Sequence, residues 1–235
     1  MKRLGIGGAV AMLFALAAFA QSAIDAEGVA TGKTVLWFYG TEVTVLIESD
    51  FEVNGSLVID GRIVPFTAFG TAFGEGSGDS ATLTLDVWLL MEAVGKTEGG
   101  EPISIRGGMA GSSADADLSG GALGSAVGPF FFVVTFGTDS YRAQGTAEGS
   151  AAGAFVVPED PVTMQVEGTA TYTLVGDLVP DVLPTEADAG PSAHATYLPW
   201  CAETWPPDLF ARLLALLDGV PCESTGAPEG EPPDG

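Results

Sequence analysis

FEVNGSLVID, residues 51–60, changes sides at almost every step. Phe51, Val53, Gly55, Leu57 and Ile59 fall on one face of an extended chain. Glu52, Asn54, Ser56 and Asp60 fall on the other, with Val58 the exception. A period of two is the mark of a half-buried strand, since successive side chains of an extended chain point to opposite sides. ATLTLDVWLLMEA, residues 81–93, repeats the pattern: Ala81, Leu83, Leu85, Val87, Leu89 and Met91 share a face. Thr82, Thr84, Asp86 and Glu92 lie opposite, joined by Trp88 and Leu90.

Working outward, further strands are expected at 28–38, 42–49, 62–74, 102–109, 129–137, 140–157 and 162–176. Asp60-Gly61 reads as a hairpin turn, and Asn54-Gly55 as a turn or a bulge. The Gly-rich stretches 74–80 and 95–101 read as connections or as wide bends in long strands. PFFFVVTF, residues 129–136, is apolar almost throughout. It predicts a central strand covered on both faces, with a membrane-buried strand as the alternative. No repeated aromatic girdle accompanies it. No convincing helical period occurs before residue 200. About nine strands without helical crossovers predict an all-β, mainly antiparallel fold. A closed barrel covers its core face and removes sheet edges; a two-sheet sandwich is the alternative.

Small residues recur at every second position in several places. In GTAFGEGSG (70–78) they are Gly70, Ala72, Gly74, Gly76 and Gly78; in GTAEGSAAG (145–153) they are Gly145, Ala147, Gly149, Ala151 and Gly153. Gly28, Ala30 and Gly32 form a shorter run, and Gly168 and Ala170 begin another that turns large at Tyr172. Three readings are open. A bare strand face can receive a neighbouring backbone or aromatic ring and permit sharp coiling. It can leave room for a ligand. Or the runs are flexible loops. Their starts at 28, 70, 145 and 168 have no fixed period, so a solenoid or propeller is not supported. No Gly-Lys-Ser/Thr follows GEGSG, so it is no phosphate loop.

The chain begins MKRLGIGGAVAMLFALAAFA. Lys2 and Arg3, an apolar run, and Ala18-Phe19-Ala20 make a signal peptide over 1–20, cleaved after Ala20. The expected location is secreted or periplasmic, with no membrane span after cleavage. Residues 223–235, rich in Pro, Gly and Glu, read as a disordered acidic tail. Between these ends lie an antiparallel β domain over 21–198, with a linker at 177–198, and a disulfide-clasped helix over 199–222. The chain has 8 basic and 31 acidic residues, a formal charge of −23. Losing Lys2 and Arg3 makes the remainder more acidic still. Such a field repels phosphate backbones, so nucleic acid is not an expected partner.

Chemistry is sparse. The single histidine, His194, stands in the linker GPSAHATY. A one-histidine chain cannot build a multi-histidine zinc site, and no serine sits in a nucleophile elbow. Glu48, Asp50 and Glu52 share one face if their strand is unbroken, which reads as a solvated face. DADLSGG (115–121) places Asp115, Asp117 and Ser119 at alternate positions before Gly120, like the first half of a calcium loop. Ala126 stands where that loop's bidentate Glu belongs, so the full motif is missing and the alternative is a polar hairpin loop. No cofactor and no catalytic residue are expected.

WCAETWPPDLFARLLALLDGVPC (200–222) differs from the rest. Pro206, Pro207 and Asp208 open a helix; Leu209, Phe210, Leu213, Leu214 and Leu217 recur at helical spacing; Gly219 and Pro221 end it. Cys201 and Cys222 flank it and are expected to pair in an oxidising compartment. The helix is expected to cover one end or one face of the β domain. Together these features point to an exported, non-enzymatic β-barrel binding protein for a small apolar ligand. The alternative is a secreted or cell-surface structural protein with a filled core.

Overall fold

The computed structural model describes residues 22–117, 122–156, 163–182 and 193–219. The expected signal peptide 1–20 and acidic tail 223–235, with Ser119 and Cys222, lie outside the described residues. The described residues form a closed antiparallel barrel of eight strands in sequence order, with β8 returning to pair with β1. The strands are β1 (Ala23–Tyr39), β2 (Glu42–Ile59), β3 (Arg62–Asp79), β4 (Thr84–Thr97), β5 (Pro102–Ser113), β6 (Ala122–Phe136), β7 (Asp139–Val156) and β8 (Thr163–Pro180). Closure pairs every strand on both sides, so no edge is left to recruit another chain.

Eight strands replace the expected nine because 42–49 and 51–60 are one strand. Asp50 pairs with Thr31 on one side and Thr71 on the other and points outward, where a charge does not interrupt the ladder. Asn54-Gly55 is neither turn nor bulge. Gly55 pairs regularly with Ala26 and Phe66, and a Cβ there would stand 2.5 Å from the Ala26 Cβ. The turn falls at Asp60-Gly61, whose φ angles of 50° and 76° are those of a tight I′ hairpin. The glycines of 74–78 are part of β3, and β8 extends into the expected linker as far as Pro180.

The alternation translates directly into inside and outside. Even positions of β1, β3, β6 and β8 and odd positions of β2, β4, β5 and β7 face inward; the register shift near Gly124 turns Leu123 inward as well. One half of the interior is densely packed by Ile24, Phe51, Leu57, Phe66, Phe130, Phe132, Val134, Leu174 and their neighbours. A smaller cluster of Leu36, Val43, Val45, Leu85 and Val166 fills the opposite end, with Ala116 of the β5–β6 loop folded onto it. Glu48, Asp50 and Glu52 project from the outer face in mid-strand. The interior is apolar, whereas the exterior mixes these carboxylates with exposed apolar side chains such as Phe69, Val94 and Val175. No helix among the described residues is long and apolar enough to cross a membrane.

The chain after the barrel forms a 3-10 turn, Ala193–Tyr197, and two helices, α1 (Pro199–Thr204) and α2 (Pro207–Leu217). They lie against the outer wall. Leu209, Leu213, Leu216 and Leu217 of α2, with Trp205 and Leu198, bury Leu90, Phe131 and Val133. This accounts for the apolar run 129–136: Phe130, Phe132 and Val134 enter the barrel, while Phe131 and Val133 enter the helical interface. Gly108 of β5 permits the approach. A Cβ there would stand 2.5 Å from the Trp205 ring and 3.2 Å from the Leu213 Cδ1.

Candidate ligand cavity

Between the two packed ends the barrel holds an open space of about 160 Å³. Its walls are the inner faces of the small-residue runs. Ala30 and Gly32 come from β1, Ala72 from β3, Ala147, Gly149, Ala151 and Gly153 from β7, and Gly168 and Ala170 from β8. Pairing stacks them side by side: Ala30 opposes Ala170, and Ala170 opposes Ala151. Adjacent strands bare at the same level remove the side chains that normally fill a small barrel. Larger residues complete the enclosure: Ile47, Leu85, Val87, Leu123 and Val166 toward the loop end, Met91, Met109 and Tyr172 toward the packed end.

The runs lie in strands, so the loop reading fails; some of their bare positions receive a neighbouring ring or backbone and others border open space. At Gly28 the bare face receives an aromatic ring. Tyr172 lies across the glycine so closely that a Cβ would collide with its ring and hydroxyl. Gly107 similarly takes the Phe132 ring and Gly176 the Phe130 ring. Beyond these positions, toward the loop end, the small residues border the cavity.

The cavity offers little polarity. Thr34 and Ser49 are the hydroxyl side chains of its inward wall beside Tyr172. The Tyr172 hydroxyl donates to the Glu52 carbonyl at 3.5 Å, and burial pushes its pKa up, so it stays neutral. Glu48 and Glu148 contribute to the wall from outward-facing positions. Among the described residues no inward-facing charged side chain lines the space.

The other candidates are not brought into this cavity. Asp115 braces its own hairpin loop. Its carboxylate accepts from the Ser113 hydroxyl at 2.7 Å and the Ser125 N–H at 2.8 Å, and these bonds hold its pKa low. The Asp117 carbonyl accepts from the Ala122 N–H at 3.0 Å. Among the described residues no group of three or more His, Cys, Asp or Glu side chains converges as a metal site. Cys201 is fully buried beneath α2 and unbridged among the described residues; burial pushes its thiol up to about 12. Its pairing with Cys222 stays a proposal.

His194 was expected in a solvated linker and is instead 3% exposed. Its Nδ1 lies 2.8 Å from Asp218 at the end of α2, and its Nε2 lies 3.4 Å from Asp181 after β8. Asp181 also pairs with Arg142 of β7 at 3.4 Å, and Arg142 stacks over the Tyr197 ring. This group ties the helical segment to the barrel. Sequence reading missed it because its two aspartates stand 13 and 24 residues away. The cavity's Met91 was legible, since strand parity placed it with Leu85, Val87 and Leu89; nothing marked that face as bordering a void.

The fold and cavity define a closed eight-stranded barrel with an apolar internal chamber. No protein-family model matches the chain, and no curated protein matches it either.

Proposed function

We propose that the chain is an exported, non-enzymatic binding protein that holds one small apolar ligand inside its barrel. The cavity carries this reading. Left empty, 160 Å³ costs about 4 kcal/mol at about 24 cal/mol per Å³. That is a large share of the roughly 5–15 kcal/mol that stabilises a domain. The same space could have been filled by exchanging a few alanines for valines. A void of about 150 Å³ with apolar walls accepts a benzene-sized guest, whereas drug-sized ligands need about 300 Å³ or more. Export rests on the sequence of residues 1–20.

The test is thermal unfolding with and without benzene, alongside native mass spectrometry of protein from its own source. At a hundred times its Kd a ligand adds about 2.7 kcal/mol, which raises Tm by about 5–10 °C for a chain of this size. Ala170→Leu, which projects three more carbons into the chamber, is expected to abolish that rise. An unchanged Tm in wild type, with no co-purified ligand, favours the structural alternative.

A further inference from the structure

Below the chamber, toward the packed end, lies a second void of about 10 Å³ among Phe51, Phe132, Leu174 and their neighbours. Met91 and Tyr172 line both spaces. We propose that these two side chains form the chamber's floor and set the length of ligand it accepts, with Met91 the movable element. The inference rests on the apolar-ligand reading and deepens it: the preferred guest is a neutral hydrocarbon group of single-ring size, and Met91 limits its extension.

The two residues are held differently. Tyr172 lies on Gly28, which has no side chain to displace it, packs edge-to-face on Phe51 at 6.3 Å, and is bonded through its hydroxyl to the Glu52 carbonyl. Met91 is an unbranched, rotatable chain, 4% exposed, inserted from β4 among apolar neighbours. Methionine adapts to irregular gaps more readily than a braced ring. Truncating it joins the lower void to the chamber. With no inward-facing charged side chain on the wall among the described residues, a carboxylate or ammonium head would lose its hydration without a partner. Neutral guests are therefore favoured over fatty acids of equal length.

The experiment measures binding of benzene, toluene, ethylbenzene, butylbenzene and hexylbenzene by calorimetry, with hexanoate as the charged comparison. Wild type is expected to prefer the shorter members and to lose affinity as the chain lengthens. Met91→Ala is expected to move the optimum two or three carbons longer, each newly buried methylene strengthening binding about 4-fold. Met91→Leu, which preserves volume, is the control and keeps the wild-type length preference; Met91→Val, a smaller truncation, is expected to give a smaller shift and serves if the alanine variant does not fold. A wild type that binds short members, with Met91→Ala and Met91→Val leaving its profile unmoved, overturns the floor assignment alone. A wild type that binds no member of the series overturns the apolar-ligand reading itself. Hexanoate binding as tightly as ethylbenzene, a neutral guest of equal non-hydrogen atom count, overturns the preference for neutral guests.

Discussion

Leu213→Ala is expected to lower the free energy of unfolding by about 2–5 kcal/mol. Leu213 is 0% exposed, at the centre of the interface between α2 and the outer wall. It sits over Gly108, whose neighbours Leu90 and Phe131 are held in the ladder of β4, β5 and β6. Neither side can collapse into the missing volume without lifting the helix, so the cavity remains and the loss falls toward the upper part of the range. Leu214, one position further and only partly buried, provides the control on the same helix; its truncation should cost less than half as much. Urea titration of both variants measures the difference. Equal losses would mean that α2 is held by something other than this face. If the helical segment detaches, Phe131 and Val133 become an exposed apolar strip on a strand, and aggregation should accompany the loss.

The second large effect concerns His194. Removing one member of a buried ion pair leaves its partner desolvated, a loss of about 3–5 kcal/mol. Here Arg142 still faces Asp181, and Asp218 is half-open to water, so His194→Ala is expected near the lower figure. The effect should depend on pH with a definite sign. Burial opposes the imidazolium, but the hydrogen bonds and charges of Asp181 and Asp218 outweigh it, and the pKa is raised above 6.5. A folded-state pKa above the unfolded one contributes stability that is fully present below about 6.5. That contribution is lost as pH rises through the raised value. Wild type and His194→Ala should therefore differ most near pH 6 and converge toward pH 9. The chain contains one histidine, so a single imidazole resonance followed by NMR titration gives the value without assignment. A midpoint at or below 6.5 would show that the two aspartates do not hold the charged ring.

How much of this was legible in sequence differs between the barrel and its contents. The alternation of 51–59 and 84–93 yields strands because their faces must separate water from core, and the parity it assigns agrees with the inward faces observed. Residues 81–83, expected to extend the second run, instead form the turn before β4, with Leu83 exposed at a φ of 58°. Asp60-Gly61 gave its hairpin because a tight turn needs two positive φ angles, which Asp and Gly tolerate. The expected break near Asp50 failed because local polarity does not end a strand that is paired on both sides. The helix over 207–217 was readable from its leucine spacing, and the burial of PFFFVVTF on both faces from its lack of polar positions.

The small-residue runs mark the limit. By itself the chain determined that those faces would be bare, since Gly and Ala at every second position leave an extended strand without side chains on one side. Whether bareness becomes contact or space depends on what stands across the barrel at the same height. That is fixed by the register of eight strands closing on one another, a long-range property carried in no local pattern. The tertiary structure places Tyr172 over Gly28 and places Ala30, Ala170 and Ala151 beside one another around an opening. Identical local chemistry thus ends as packing at one level and as a chamber at the next.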